Sequence, residues 1–594
     1  MRDSAFGIRG DRGVARCGLR RQHADDPEHD VIRPRERNVV GDRRAWWTDQ
    51  PFVHRQCSRH DQRHVDGRRH DAYWRGRRPA ASDRRRLPSR PQRGCNAGDD
   101  TADQYAGRGR PVLCAGVRPG NHQRGSGRVC PQDRSPVIDA YEEFLAAYPE
   151  YAGTHEIDAL RVREYRRLDD QHHVYLDYTG GSLHAESQVT QHARLLNTHI
   201  FGNPHSASPS SHATTTLVEE TRQAVLDWFN APRDEYVAIF TPNATGALKH
   251  VGECYPFSQG TGLLLTTDNH NSVNGIREFA RAKGAPVEYA PLTVPELRID
   301  RDRLDGMLAA PSTGPGLFAF PAQSNFTGVK HPLDLIELAH ARGWDVLLDA
   351  AAFVPSSRLD LSTVKPDFVS VSFYKMFGYP TGVGCLLARS RTLASMTRPW
   401  FAGGTVNFAT VSGRACILSS GEAGFEDGTL NYLAIPAVEL GLRHLREAGV
   451  DMINTRVRCL TGWMLQRLVE LQHSNGHHMV RIYGPITTES RGGTITLNFY
   501  DPEGHLLDYR RVEEMAGAQG ISLRTGCFCN PGAGETAEGI TEEDVRAALA
   551  LLVSNFADAH RFIEFAGSLR DQTRLAIGSV TCDIEAGRII RDGS

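Results

Sequence analysis

Long apolar runs are missing from this 594-residue chain: none reaches the roughly 18 residues that a membrane-spanning helix requires. The amino terminus also lacks the apolar stretch of a secretory signal. Net charge is nearly absent, since 69 Lys+Arg against 71 Asp+Glu leave −2, and a chain so balanced is not, taken whole, a polyanion binder. The 12 cysteines are scattered rather than densely spaced, which argues against a secreted disulfide framework. There is no internal repeat. A reduced, cytoplasmic protein with no membrane span is the expectation.

Lysine is missing from residues 1–136, which hold thirty arginines and very little Leu or Ile. Stretches such as RRPAASDRRRLPSRPQRG have neither helical nor strand periodicity. Such a composition buries too little apolar surface to offset chain entropy. Three readings are open: a basic arm for nucleic acid, a disordered segment, or the translation of GC-rich DNA lying upstream of the true start. On the last, the native start falls near Val137, where a GTG codon is read as Met.

From VIDAYEEFLAAYPEY onward the pattern is globular. EYVAIFTP, TGLLLTT, GLFAFPAQ, WDVLLDAAAF and DFVSVSFY read as buried strands. HNSVNGIREFARAKG and PLDLIELAHARG read as helices between them. Continuous apolar strands alternating with helices predict an α/β domain around a mostly parallel sheet covered on both faces. After about residue 436 helices dominate until a later strand, GGTITLNFY. The expected division is 137–435 for a large domain with its leading helix, 436–575 for a smaller α+β domain, and 576–594 for a tail.

In open α/β sheets ligands bind beyond the carboxyl ends of the strands. After EYVAIF comes TPNATGALKHV, a small hydroxyl-bearing turn opening a helix, suited to a phosphate. His270 follows TGLLLTT, and Asn325 follows GLFAFPAQ. Asp349 closes an apolar strand, where an acid needs a cationic partner or ligand. Lys375 follows DFVSVSFY, and a desolvated lysine can hold an aldehyde. Taken singly, each has an ordinary structural explanation. In this order they match what pyridoxal 5'-phosphate requires: an anion cradle, a plate for the ring, a carboxylate for the pyridine nitrogen and an amine for the aldehyde. Near the end, LRTGCFCNPGAGE puts Cys527 and Cys529 in one Gly/Pro/Asn-rich loop behind Arg524. Spacing alone leaves metal ligands, a redox pair, bystanders or a nucleophile open.

YLDYTGG, GNPHS, DNHNSVNGIRE, FPAQSNFTGVKHPLD, SFYKMFGYPTGVGCLLAR, FEDGT and RTGCFCNPGA carry a resemblance to class V aminotransferase-fold enzymes. Within them the chain is similar to the cysteine-desulfurase-like domain of molybdenum cofactor sulfurases, over residues of about 137 to 570. The resemblance implies a type I pyridoxal-phosphate transferase fold with a large seven-stranded sheet and a smaller α+β domain. It makes Lys375 the cofactor-bearing lysine, Asp349 the pyridine partner and His270 the stacking residue. It gives Thr245 and Ser372 to the phosphate, and sets Asn325 near the phenolic oxygen. Thr429 would reach the phosphate of a neighbouring subunit in a homodimer. The implied activity takes sulfur from L-cysteine as a persulfide on Cys529 and releases alanine. Arg524 would lower the thiol pKa or hold substrate carboxylate, and Arg546 would pair with that carboxylate. No metal is implied, because no second close Cys/His pair stands at ligand spacing.

The pattern is broken in places. Gly534 stands where many relatives carry a further cysteine, and Ala352 stands where general desulfurases offer a glutamine. The chain ends soon after residue 570, so the expected acceptor is a separate molecule, either molybdenum cofactor or a carrier protein. Rival readings are a lyase, transaminase or epimerase on the same fold, and a nucleic-acid binder led by the basic arm. For the amino-terminal segment, mass spectrometry of the natural protein should find no peptides from about residues 20–120; finding them overturns a start near Val137.

Overall fold

The computed structural model describes residues 136–204, 206–309, 314–540, 580–583 and 588–591. These all belong to one compact unit, Gln123–Ser594. The expectations for residues 1–135, and for Arg546, lie outside the described residues.

Seven strands form the central sheet: β1 (Tyr236–Thr241), β2 (Leu263–Thr266), β3 (Val287–Ala290), β4 (Leu317–Pro321), β5 (Asp345–Asp349), β6 (Phe368–Ser372) and β7 (Gly384–Arg389). Their spatial order is β1-β7-β6-β5-β4-β2-β3. All neighbours pair in parallel except β7, which runs antiparallel to both β1 and β6. Five of these strands are those read from apolar runs; β3 and β7 were not read as strands. Alternation sends Phe318, Phe320, Val346, Leu348, Val369 and Val371 to one face. Leu317, Ala319, Leu347 and Phe368 go to the other. Both sets are buried, which is why the strands show no polar alternation. The helices Pro209–Trp228 and Pro436–Ala448 cover the first face, while Ala244–Cys254 and the short helices after β2 cover the second. The segment expected as one helix from His270 is two, Asn271–Asn274 and Ile276–Ala282, meeting at Gly275.

Because β7 is antiparallel, its first residue lies beside the last residues of two neighbours: Gly384 is opposite Thr241 and Ser372. The carboxyl ends of β1, β6 and β5 therefore meet at one edge, where the sequence predicts ligand contacts.

A buried ion pair ties the FEDGT segment to this edge. Arg222 Nη1 donates to Glu426 Oε1 at 2.7 Å and Nη2 to Oε2 at 3.1 Å. Both side chains are under one-tenth exposed, and Glu426 also accepts from the backbone N–H of Phe240 at 2.9 Å. Removing one partner strands a charge in the core. Glu426→Ala is expected to lower unfolding free energy by about 3–5 kcal/mol, measured by urea denaturation.

Candidate active site

Ser372 ends β6, and the chain turns at once into the short helix Phe373–Phe377 that carries Lys375. Gly378 ends that turn at φ +77°, and an added Cβ there would overlap the backbone of Leu183 and His184. Glycine thus lets the 182–184 segment lie directly against the lysine turn.

Burial pushes the Lys375 amine below the ordinary lysine range. Asp349 opposes this, Arg524 reinforces it, and the thiol of Cys529 opposes it. These four groups are therefore electrostatic neighbours although 180 residues separate Asp349 from Cys529. Asp349 is buried at the end of β5. Its Oδ1 accepts from Ser370 Oγ at 2.8 Å and from Ala351 N at 3.1 Å. Among the described residues its Oδ2 takes no hydrogen bond, so this oxygen is available for a protonated ring nitrogen.

His270 caps the helix Asn271–Asn274, its Nδ1 accepting from Ser272 N at 3.1 Å. That bond fixes the ring and leaves the proton on Nε2. Burial holds His270 below the ordinary imidazole value, with Lys375 adding to the effect and Asp349 opposing it. Two residues the sequence reading passed over set its place. Asn269 Nδ2 bonds Thr266 O and, across to β4, Ala319 O, at 2.9 and 3.0 Å. Asp268 meets the buried His331 at 2.7 Å.

At the end of β1, Asn243 caps the helix Ala244–Cys254, its side chain accepting from Gly246 N at 2.9 Å. Ala244 N donates to Ser372 Oγ at 3.1 Å, which leaves that hydroxyl proton to donate elsewhere. Thr245 is exposed, with its hydroxyl 2.8 Å from Ser272 Oγ. Two hydroxyls and a helix N-terminus thus stand together, a fit for a phosphate group. Thr429 is exposed and accepts from Asn203 Nδ2 at 3.4 Å. Among the described residues no hydrogen bond joins it to Lys375, Asp349 or His270.

The cysteine loop is held by its backbone. Phe528 and Cys529 both adopt left-handed φ, +53° and +55°, a conformation that persists only where surroundings enforce it. Asn325 Nδ2 donates to Phe528 O at 2.8 Å, Asn271 N to Cys529 O at 2.7 Å, and Asn530 N to Cys527 O at 2.9 Å. Asn325 was expected beside a cofactor oxygen; here one amide hydrogen and its Oδ1 serve the loop, leaving one hydrogen. Asn530 is fully buried, donating to Asp268 O at 2.7 Å and Asn325 Oδ1 at 3.0 Å. Its oxygen caps the helix Pro531–Glu538 through Ala533 N at 3.2 Å. The Asn-Pro dipeptide was the available signal, an N-cap with Pro at the first helical position. Both cysteines are exposed and free, and Cys529 is the one that acts on Lys375 and on Arg524.

The model of the family described as Aminotransferase class-V matches residues 174–555. The chain is 37% identical over 454 residues to the molybdenum cofactor sulfurase of Solanum lycopersicum, covering 70% of this chain and 54% of that one. To the molybdenum cofactor sulfurase of Homo sapiens it is 36% identical over 416 residues, covering 66% and 46%. It spans about half the length of these curated relatives. The apo cysteine desulfurase of Thermococcus onnurineus NA1 superposes with a TM-score of 0.55 at 22% identity, over 66% of this chain and 96% of that one. That likeness establishes the fold, a type I pyridoxal-phosphate transferase fold. No helix among the described residues is long and apolar enough to cross a membrane.

The charges around Lys375 predict two opposite shifts. Arg524 disfavours the ammonium form and Asp349 favours it. Arg524→Ala should therefore raise the pH at which Lys375 becomes a free amine, and Asp349→Asn should lower it. Trace acylation of Lys375 across pH, read by peptide mass spectrometry, measures both.

Proposed function

The chain belongs to the class V aminotransferase family, and from that premise we propose that it is a pyridoxal-phosphate enzyme that takes sulfur from L-cysteine. The observation that carries this reading is the meeting of Lys375, Asp349 and Cys529 around one half-buried, desolvated amine. Lys375 would bear the cofactor's aldehyde carbon, Asp349 Oδ2 would face its ring nitrogen, and His270 would lie on the ring. Thr245 and Ser372 would hold its phosphate. When bound, pyridoxal phosphate supplies a protonated ring that draws electrons from the substrate's Cα.

The chain's own residues divide the remaining work. Once released, the Lys375 amine takes the Cα proton; its depressed pKa leaves more of it unprotonated for that purpose. The Cys529 thiolate attacks the substrate sulfur, so that an S–S bond forms as the Cβ–S bond breaks. The carbon skeleton leaves as alanine after protonation, and the persulfide stays on Cys529 for a separate acceptor, molybdenum cofactor or a carrier protein. Arg524, beside Cys529 and Lys375, would hold substrate carboxylate. The exposed position of Thr429 supports its reaching a second copy of the chain. So do the apolar side chains Trp400, Phe401, Phe408 and Ile417 exposed on and beside the hairpin Val406–Ala409/Cys416–Leu418.

Full-length protein incubated with L-cysteine and cofactor should release alanine and carry a persulfide. Cys529→Ser should stop both, while Cys527→Ser should change alanine release by less than about twofold. Lys375→Ala, lacking the absorbance band near about 420 nm, is the negative control. Unchanged turnover in Cys529→Ser overturns the mechanism and favours a lyase, transaminase or epimerase on this fold. No band in the wild type overturns the cofactor assignment.

A further inference from the structure

Asp177 and Arg524 lie 347 residues apart, yet a short strand pairing sets them side by side. Val174–Tyr175 pairs in parallel with Ile521–Ser522, Val174 opposite Ile521. Three residues past each of these come Asp177 and Arg524. Arg524 Nε donates to Asp177 Oδ1 at 2.7 Å and Nη2 to Oδ2 at 2.9 Å. This two-pronged contact uses one edge of the guanidinium. Among the described residues Nη1 makes no hydrogen bond, so the end of the fork remains for another carboxylate.

From Asp177 the chain forms a strap, 177–182, that ends on the catalytic lysine. The Tyr175 hydroxyl braces it, donating to Asp177 O at 3.1 Å and Gly181 O at 2.8 Å. Ser182 N donates to Tyr374 O at 3.1 Å, and Ser182 Oγ donates to Lys375 O at 2.7 Å. One strap therefore fixes the arginine at one end and the lysine backbone at the other. Between them stands Gly180, where an added Cβ would overlap Arg524 Nη2 and come within 2.8 Å of Cζ.

We propose that Asp177 is a positioning residue that aims Arg524 at the α-carboxylate of the amino-acid substrate, and that Gly180 keeps open the space the guanidinium occupies. This rests on the reading of Arg524 as the substrate grip. An unrestrained arginine loses rotamer freedom each time it binds, whereas one already held along its Nε–Nη2 edge loses less. The aspartate sets direction without filling the fork, much as outer partners orient ligands in other sites.

The test compares L-alanine with L-alaninamide, which has the same amine and methyl group but no carboxylate. Dissociation constants are read on the cofactor-loaded full chain from the cofactor's absorbance change. In Asp177→Asn, L-alanine should bind about 10-fold more weakly, about 1.4 kcal/mol, with L-alaninamide within about twofold. Gly180→Ala should reproduce this split, since the atom it displaces is the end of a flexible side chain rather than the backbone. In Arg524→Ala the preference for alanine should vanish, and adding Asp177→Asn should change nothing more.

Equal weakening of both ligands in Asp177→Asn overturns the proposal, because it marks a structural role only. Tighter L-alanine binding also overturns it, because Asp177 is then a competitor for the arginine. Failure of the wild type to bind either ligand overturns it too. None of these readings uses sulfur chemistry, so a chain that binds alanine but releases none from cysteine refutes the desulfurase reading alone.

Discussion

The buried carboxamide of Asn530 is the contact on which the site's assembly depends. It is fully enclosed, and a buried amide is tolerated only when its donors and acceptor are used. Here two donated bonds and one accepted bond reach Asp268, Asn325 and Ala533, joining the ends of β2 and β4 to the cysteine loop. That bracket, with the bonds to the Phe528 and Cys529 carbonyls, offsets the cost of two successive left-handed residues. A separate backbone bond joins the loop to the His270 segment, since Asn271 N, next to His270, holds the Cys529 carbonyl. The imidazole and the thiol are therefore tied together through adjoining backbone.

Around Lys375 the balance of charge is set by competition rather than by any one neighbour. Burial disfavours the ammonium form, and Arg524 adds to that from the loop side. Asp349 works against both from the sheet side. The aspartate is itself restrained on one oxygen only. An acid with both oxygens satisfied would have less to offer a ring nitrogen; one with neither satisfied would be costly to bury.

How much of this was legible in the sequence follows from the range of each interaction. Apolar runs gave five of the sheet's strands because burial on both faces removes polar alternation, a local signal. The placement of Lys375, Asp349 and His270 was readable because each stands at or just past the end of such a run, at the edge where parallel strands end. The antiparallel course of β7 was not readable, since GCLLAR has the same composition in either direction. Its direction is what brings Gly384 beside both Thr241 and Ser372. Asp177 lies within YLDYTGG, but its partner lies 347 residues away, and no local pattern reveals such a pairing. Asn325 was read for a cofactor, whereas most of its amide serves the loop, because the loop's approach is a tertiary fact.

Position and chemistry in the cysteine loop are encoded by different atoms. The carbonyls of Cys527, Phe528 and Cys529, three in succession, each accept an anchoring bond. The side chains carry almost none of the anchoring: Phe528 packs on Phe326 with ring centres 5.7 Å apart, and both thiols are exposed. Backbone anchoring holds whatever side chain stands at these positions, so loop geometry does not require sulfur at either. Cysteine at 529 therefore has no structural explanation in the loop's own bonds, and what distinguishes it is its nearness to Lys375 and Arg524. Cys527 shares the loop and the exposure, but it is not among the charges that shift Lys375. The fold treats the two thiols alike, and the electrostatics of the site treat them differently. That difference is why the proposed sulfur chemistry is written through Cys529.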